Sequence, residues 1–245
     1  MRGLLIAAAL LPLTGCNITH DIGGDDGTPG IAAQGSGGTR TYAATDFTAV
    51  DLRGADDVDI RVGPGFSVRA DGDSALLDHL KISRVGQTLR VSRTRTSGWS
   101  WSGNHAKVSI TMPALSDASV AGSGDMTIDR VGGAAFRASG AGSGDIRVGQ
   151  IAVGRAELSL AGSGAIRLGG TAQQLKVSIA GSGDVDASGL TAAQAQVSIA
   201  GSGSVRALVD GPATVSVMGS GDVDLGARAR CQATKMGSGT IRCGG

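Results

Sequence analysis

Between Ala156 and Ala187 the chain reads AELSLAGSGAIRLGGTAQQLKVSIAGSGDVDA. Two copies of one unit are visible. Leu158-Ser159-Leu160-Ala161 precedes Gly162-Ser163-Gly164, and Val177-Ser178-Ile179-Ala180 precedes Gly181-Ser182-Gly183. Apolar and polar residues alternate on both sides of each glycine pair, which is the period of a half-buried strand. The apolar set is largely β-branched, as a pleated surface prefers. Glycine, without a Cβ, permits a sharp bend between two strands. Gly-Ser-Gly starts at Gly122, Gly142, Gly162, Gly181, Gly201, Gly219 and Gly237, in steps of 20, 20, 19, 20, 18 and 18 residues. A fixed period of this size marks a solenoid, whose units are too small to bury an apolar face alone and so stack on one another.

The length changes locate the sides of each coil. From Val148, Leu168, Ala187 and Ala207 to Ala156, Leu175, Ala195 and Ala213 lie 7, 6, 7 and 5 residues, whereas the strands flanking the corner keep constant length. Two fixed strands and one variable side predict an all-β fold, a single-stranded parallel β-helix with coils of 18–20 residues. Crossover chirality favours the right-handed form. Successive coils should lie about 4.8 Å apart. Ile146, Ile166, Val185, Val205, Val223 and Ile241 would then fill the bore, while Arg147, Arg167, Asp186, Arg206, Asp224 and Arg242 form an outward column. The charge alternates from Arg167 onward, which disfavours a slipped register more than it adds stability.

Residues 1–16, MRGLLIAAALLPLTGC, carry a basic residue, a short apolar run and Leu13-Thr14-Gly15-Cys16. The run is too short to span a membrane and reads as a secretion signal. Its last four residues resemble the bacterial lipobox, which implies cleavage before Cys16 and lipid attachment to its sulfur; an ordinary signal peptide with a chance cysteine is the alternative. Asn17 stands where inner-membrane retention would usually want Asp, so the expected destination is the outer membrane of a Gram-negative envelope. Residues 17–44 are rich in Gly, Ala, Thr and Asp and read as a flexible tether. Residues 45–245 read as one domain, with clear repeats over 118–243. Val50–Ile60, VDLRGADDVDI, looks like a worn copy of the unit, and strand-like runs follow at Phe66–Ala70, Leu80–Arg84, Thr88–Ser92 and Lys107–Met112.

A net charge of +1 argues against a nucleic-acid partner bound through phosphate neutralisation. Aromatics make up only 2% of residues, which suits a narrow aliphatic bore and leaves little for a large ligand pocket. Cys231 and Cys243 flank the last Gly-Ser-Gly in inward-facing columns. In an oxidising envelope they could form a disulfide that seals the C-terminal end; two buried thiols are the alternative. No further Cys or His is near enough to suggest zinc.

Asp125, Asp145, Asp184 and Asp222 follow the corner glycines, and stacked carboxylates could bind calcium. Calcium β-rolls use a nonapeptide period with a different offset, and Ala165, Ser204 and Thr240 interrupt this row. The reading preferred is that Asp and Ser hydrogen-bond the turn backbone, with no metal and no cofactor. β-Helices also house glycan-cleaving enzymes, but nothing marks a pair of carboxylates as acid and base. The Gly-Ser-Gly serines lack the Gly-x-Ser-x-Gly spacing of a nucleophile elbow. No catalytic residue is assigned. Arg90–Lys107, RVSRTRTSGWSWSGNHAK, is the least repetitive stretch. Arg93, Arg95, Trp99 and Trp101 make it a candidate ligand-binding loop, in which exposed Trp beside Arg could stack on sugar rings or anionic glycans. The preferred alternative is a cover folded over the flank or N-terminal end of the helix.

Phe47-Thr48-Ala49-Val50-Asp51-Leu52, Asp57-Val58-Asp59-Ile60, Leu76-Leu77-Asp78-His79-Leu80, Val108-Ser109-Ile110-Thr111-Met112-Pro113-Ala114-Leu115 and the repeated Gly-Ser-Gly-Asp together resemble the GIN-domain family, described as the head of an auto-transporter adhesin. The resemblance covers about residues 46–242. It implies a β-helical fold, an envelope location and frequent lipoprotein anchoring, and it supplies no catalytic residues. Unlike an auto-transporter, the chain shows no C-terminal membrane barrel after Cys243-Gly244-Gly245, so the lipid would do the anchoring. The expected function is a non-enzymatic cell-envelope lipoprotein presenting a β-helix for adhesion or for contact with a protein or glycan. A periplasm-facing binding module in envelope maintenance and, behind it, a carbohydrate-active enzyme are the alternatives. Exposed end coils could also pair between molecules.

Overall fold

The computed structural model describes residues 27–94 and 105–244. In chain order the elements are β1 (Ala33–Gln34), β2 (Thr39–Tyr42), β3 (Ala49–Gly54), β4 (Asp57–Val62), β5 (Ser67–Asp71), α1 (Ser74–Leu77), β6 (Leu80–Val85), β7 (Thr88–Arg93), β8 (Lys107–Met112), β9 (Asp117–Gly122), β10 (Met126–Gly142), β11 (Ile146–Gly162), β12 (Ala165–Gly181), β13 (Asp184–Gly201), β14 (Ser204–Val209), β15 (Pro212–Gly219), β16 (Asp222–Asp224), β17 (Arg230–Met236) and β18 (Ile241–Arg242).

From β9 onward the chain is the expected parallel β-solenoid. Ile146 pairs with Ile166, Ile166 with Val185, Val185 with Val205, Val205 with Val223 and Val223 with Ile241. The first five of these side chains are at most 2% exposed. Burying an aliphatic side chain contributes about 1.5–3 kcal/mol, so this one column is a major source of cohesion between coils. The parallel register slips at Val148/Ile151, Arg167/Gly169 and Ala187/Thr191, all in the third side where the sequence loses and gains residues. The insertions fall there because the other two sides are held in register by the stacked corners.

The corner explains its own tripeptide. At Gly162 φ is +127°, and a Cβ would lie 2.3 Å from the carbonyl oxygen of Gly142 in the neighbouring coil. At Gly164 the clash is of the same kind, 2.2 Å from the Gly144 oxygen, although φ is not left-handed there. The first glycine is therefore needed for both conformation and space, the second for space alone. Between them the Ser163 amide donates to the Gly142 oxygen at 2.9 Å, as Ser143 does to Gly122 and Ser182 to Gly162.

The N-terminal end departs from a simple advancing helix. β3 and β4 form a first coil, as the worn repeat suggests: Gly54 pairs with Gly122, and Val58 with Met126. The chain then runs through β5, α1 and β6 and returns on the other side of that coil, where β7 pairs with β3 and β8 with β4. The first coil in sequence is thus the second in space. Antiparallel strands close this end, β5 on β8, β2 on β5 and β6 on β7. The segment read as a tether from 17 to 44 is partly folded: β2 lies within it, and Tyr42 and Ala44 are buried. Its alternating Thr39-Arg40-Thr41-Tyr42 is a β-former whose single aromatic reaches the core, a signal that the overall composition hides.

At the other end Cys231 and Cys243 form a disulfide, with Cα atoms 5.9 Å apart. Cys231 continues the column of Ala195 and Ala213. In the entropic description a closed loop of this size is worth roughly 3 kcal/mol.

Candidate functional site

Arg93 ends β7, at the position where later coils place a corner glycine. Its Nε donates to Asp56 Oδ2 at 2.7 Å, and its Nη2 donates to Asp56 Oδ1. Asp56 is fully buried and its Oδ1 also accepts the Ala106 amide at 2.8 Å. A forked guanidinium–carboxylate pair of this kind is strong and directional. Asp56 therefore ties both ends of the non-repetitive stretch, Arg93 and the Ala106 amide, to the corner of the first coil. Arg95, Trp99 and Trp101 lie outside the described residues. A second buried carboxylate, Asp51, accepts from Arg53 Nε and Arg90 Nε, each at 2.9 Å, and from Ser119 Oγ at 2.8 Å. Arg90 and Ser119 flank Asp51 in the neighbouring coils.

The aspartates after the corner have a backbone role. Asp125 Oδ1 accepts the Asp145 amide at 3.0 Å, Asp145 Oδ1 the Ala165 amide at 2.9 Å, Asp184 Oδ1 the Ser204 amide at 2.9 Å and Asp222 Oδ1 the Thr240 amide at 2.7 Å. Each carboxylate holds the strand start one coil further on. Ala165, Ser204 and Thr240, the apparent gaps in the row, are the residues being held. Where no carboxylate lies below, a corner carbonyl serves: Asp184 donates to Gly164 at 3.2 Å and Asp222 to Gly203 at 3.3 Å. Among the described residues no group of His, Cys, Asp or Glu is arranged to hold a metal.

The outward column next to this row divides into two halves. Arg147 reaches Asp125 at 2.8 Å and Asp145 at 2.7 Å, and Arg167 reaches Asp145 at 2.8 Å. Desolvation pushes the Asp125 carboxyl up, but the Arg147 contact, the Asp145 amide and the fields of Arg147 and Arg167 together hold it below the ordinary carboxylate range. From Asp186 onward the expected alternation is in register, Asp186 beside Arg206 and Arg206 beside Asp224. The side chains do not clasp, however. Asp186 Oδ1 turns to the Ser188 amide and Asp224 Oδ1 to the Gly226 amide, both at 3.1 Å. A polar trough of ≈360 Å³ opens there, lined among others by Asp184, Ser204, Arg206, Asp222, Asp224 and Arg242.

On the strand before the corner, a charged column not singled out in the sequence reading runs Asp117, Arg137, Glu157, Lys176. Its ion pairs measure 2.8, 3.4 and 2.8 Å. The Lys176 ammonium chiefly, with Arg137, holds the Glu157 carboxyl below its usual range. Residues 20 positions apart with alternating sign are the signal that would have found it. Beside it, Ser119, Ser139, Ser159 and Ser178 stack with the small residues Ala121, Ala141, Ala161 and Ala180 into a shallow apolar trough of ≈390 Å³.

Several solved structures share this architecture. A "putative adhesin" from Bacteroides fragilis superimposes with a TM-score of 0.76 at 21% identity, covering 84% of this chain and 95% of that one. A "putative lipid binding protein" from Parabacteroides distasonis gives 0.66 at 21% identity, covering 86% and 98%. A second P. distasonis protein, also a "putative adhesin", gives 0.63 at 19% identity, covering 84% and 95%. At these identities the likeness concerns the fold. No curated protein matches the chain. Residues 46–229 match the family described as "Putative auto-transporter adhesin, head GIN domain", and the chain belongs to that family.

Proposed function

We propose that this protein is a non-enzymatic lipoprotein of the cell envelope, exported by residues 1–16, held to the outer membrane by a lipid on Cys16, and presenting its solenoid for adhesion. The observation that carries this reading is the use made of the carboxylates. Asp51, Asp56, Asp125 and Asp145 are each fixed by backbone amides or arginines, so they hold coils together instead of facing one another as an acid and a base. What the molecule offers outward is a set of rigid, regularly spaced faces. The adhesin description of its family fits that reading. Several acyl chains on one cysteine would anchor it firmly, at about 0.8 kcal/mol per buried methylene.

The test is expression in a Gram-negative host of the wild type and of Cys16→Ser. Wild-type protein should fractionate with the outer membrane, label with antibody on intact cells and raise adherence to a host matrix. Cys16→Ser should leave the membrane fraction and lose adherence. Labelling only after permeabilisation would overturn adhesion in favour of a periplasm-facing module.

A further inference from the structure

The two halves of the post-corner strip share one backbone geometry and differ in what their arginines do. Arg147 lies 22 residues after the Asp125 it clasps, and Arg167 lies 22 after Asp145. Arg206 stands in the same relation to Asp184, 22 residues on, and Arg242 to Asp222 across an 18-residue coil. Yet among the described residues neither Arg206 nor Arg242 ion-pairs with a carboxylate. The Ser204 hydroxyl and amide both donate to Asp184 Oδ1, at 2.6 and 2.9 Å, whereas Arg147 and Arg167 take Oδ2 of Asp145. The trough of ≈360 Å³ lies where the arginines stay unclasped.

We infer that this trough is a binding site for a neutral saccharide chain, an inference that rests on the adhesion reading above. Three features select the ligand class. The trough is lined by side chains that donate, Arg206 and Arg242, and by others that accept, Asp184, Asp222 and Asp224, at intervals of one coil, about 4.8 Å. A ligand must therefore present groups that both donate and accept, repeatedly, which is the chemistry of sugar hydroxyls. Three carboxylates against two guanidiniums disfavour a polyanion. Val205 and Val223, the apolar residues on its floor, are at most 2% exposed, so nothing there would hold an acyl chain. An extended peptide is also a poorer fit. β14 and β16, which form most of the trough, are each paired on both sides, and among the described residues only its last strand, β18, has an open edge for strand addition.

The experiment applies the full-length chain to an array of neutral oligomers of glucose, mannose, galactose and N-acetylglucosamine, with uronate oligomers and extended peptides as further arms. Wild type should bind at least one neutral series. Arg206→Ala/Arg242→Ala should weaken that binding about tenfold or more, the loss expected for one or two charge-assisted hydrogen bonds. Arg147→Ala/Arg167→Ala should leave it within about twofold, and thermal melting of the first variant should match wild type, since its arginines hold no coil together. Retention of only the uronate or peptide arm, no retention at all, or binding indifferent to the first variant would overturn the inference. Adherence of whole cells, scored on the same variants, separates the two readings. Adherence that persists in Arg206→Ala/Arg242→Ala moves the contact surface away from the trough, while adherence absent even in wild type defeats the adhesion reading itself.

Discussion

Gly162 and Gly133 both have left-handed backbone, with φ of +127° and +132°, but only the first is crowded. A Cβ on Gly133 meets nothing within 4 Å, whereas one on Gly162 lies 2.3 Å from the Gly142 oxygen. Gly133→Ala should therefore cost about 1–2 kcal/mol, the strain of the conformation alone. Gly162→Ala should cost clearly more, because the stacked corner must open to admit the methyl. Urea denaturation of the two variants checks this, and equal midpoints would contradict it. That glycine makes the bend is legible in the tripeptide. That the neighbouring coil fills the space its Cβ would occupy is not, because the oxygen concerned belongs to a residue 20 positions away. The aspartate row was legible in kind, as carboxylates serving turn amides, though not in direction: the amide served belongs to the next coil, not to the aspartate's own turn.

At the scale of elements, the runs called as strands are present, because period-two alternation of apolar residues is a local property. Their partners are not a local property. β7 and β8 have the same alternation as any advancing coil, yet they pack behind the first coil, not ahead of it. The Asp56–Arg93 pair is what fastens this arrangement, since it joins the end of β7 and the approach to β8 to the corner between β3 and β4. Removing one partner of a buried pair leaves the other uncompensated, at a cost of about 3–5 kcal/mol. Asp56→Ala and Arg93→Ala should both lower stability by that order in chemical denaturation. The double variant should recover part of the loss. A fully additive double variant would show that the two side chains do not act as a pair. Arg93 was a natural candidate for ligand contact in the sequence, where its neighbours are Trp and Arg. Its partner lies 37 residues earlier, in a copy of the repeat too worn to advertise a buried acid.

The whole molecule has unlike ends. The N-terminal end is covered by antiparallel strands, but among the described residues nothing pairs with the outer edge of β17, and most of its residues are exposed. An open edge of this length is a template for another chain. The inward column of Ile199 and Val217 ends here in Lys235, whose Nζ donates to the Gly239 oxygen at 2.7 Å. A charge over the mouth of the bore would have to be buried for a second copy to stack on it. Lys235→Val should therefore shift the purified protein toward end-to-end oligomers at concentrations where wild type is monomeric, as read by size-exclusion chromatography with light scattering. A variant as monomeric as wild type would remove Lys235 from this role.

The repeat, its two-strand coil, the inward aliphatic column and the variable third side were determined by the sequence alone, because stacking copies one local pattern again and again and each copy states the same rule. Tertiary structure decided what repetition cannot encode: the return of β7 and β8 behind the first coil, the burial of Asp56 against Arg93, and the closing of Arg147 and Arg167 onto carboxylates while Arg206 and Arg242 stay open. Those outcomes depend on contacts between residues far apart in the chain, such as the 37 positions that separate Asp56 from Arg93.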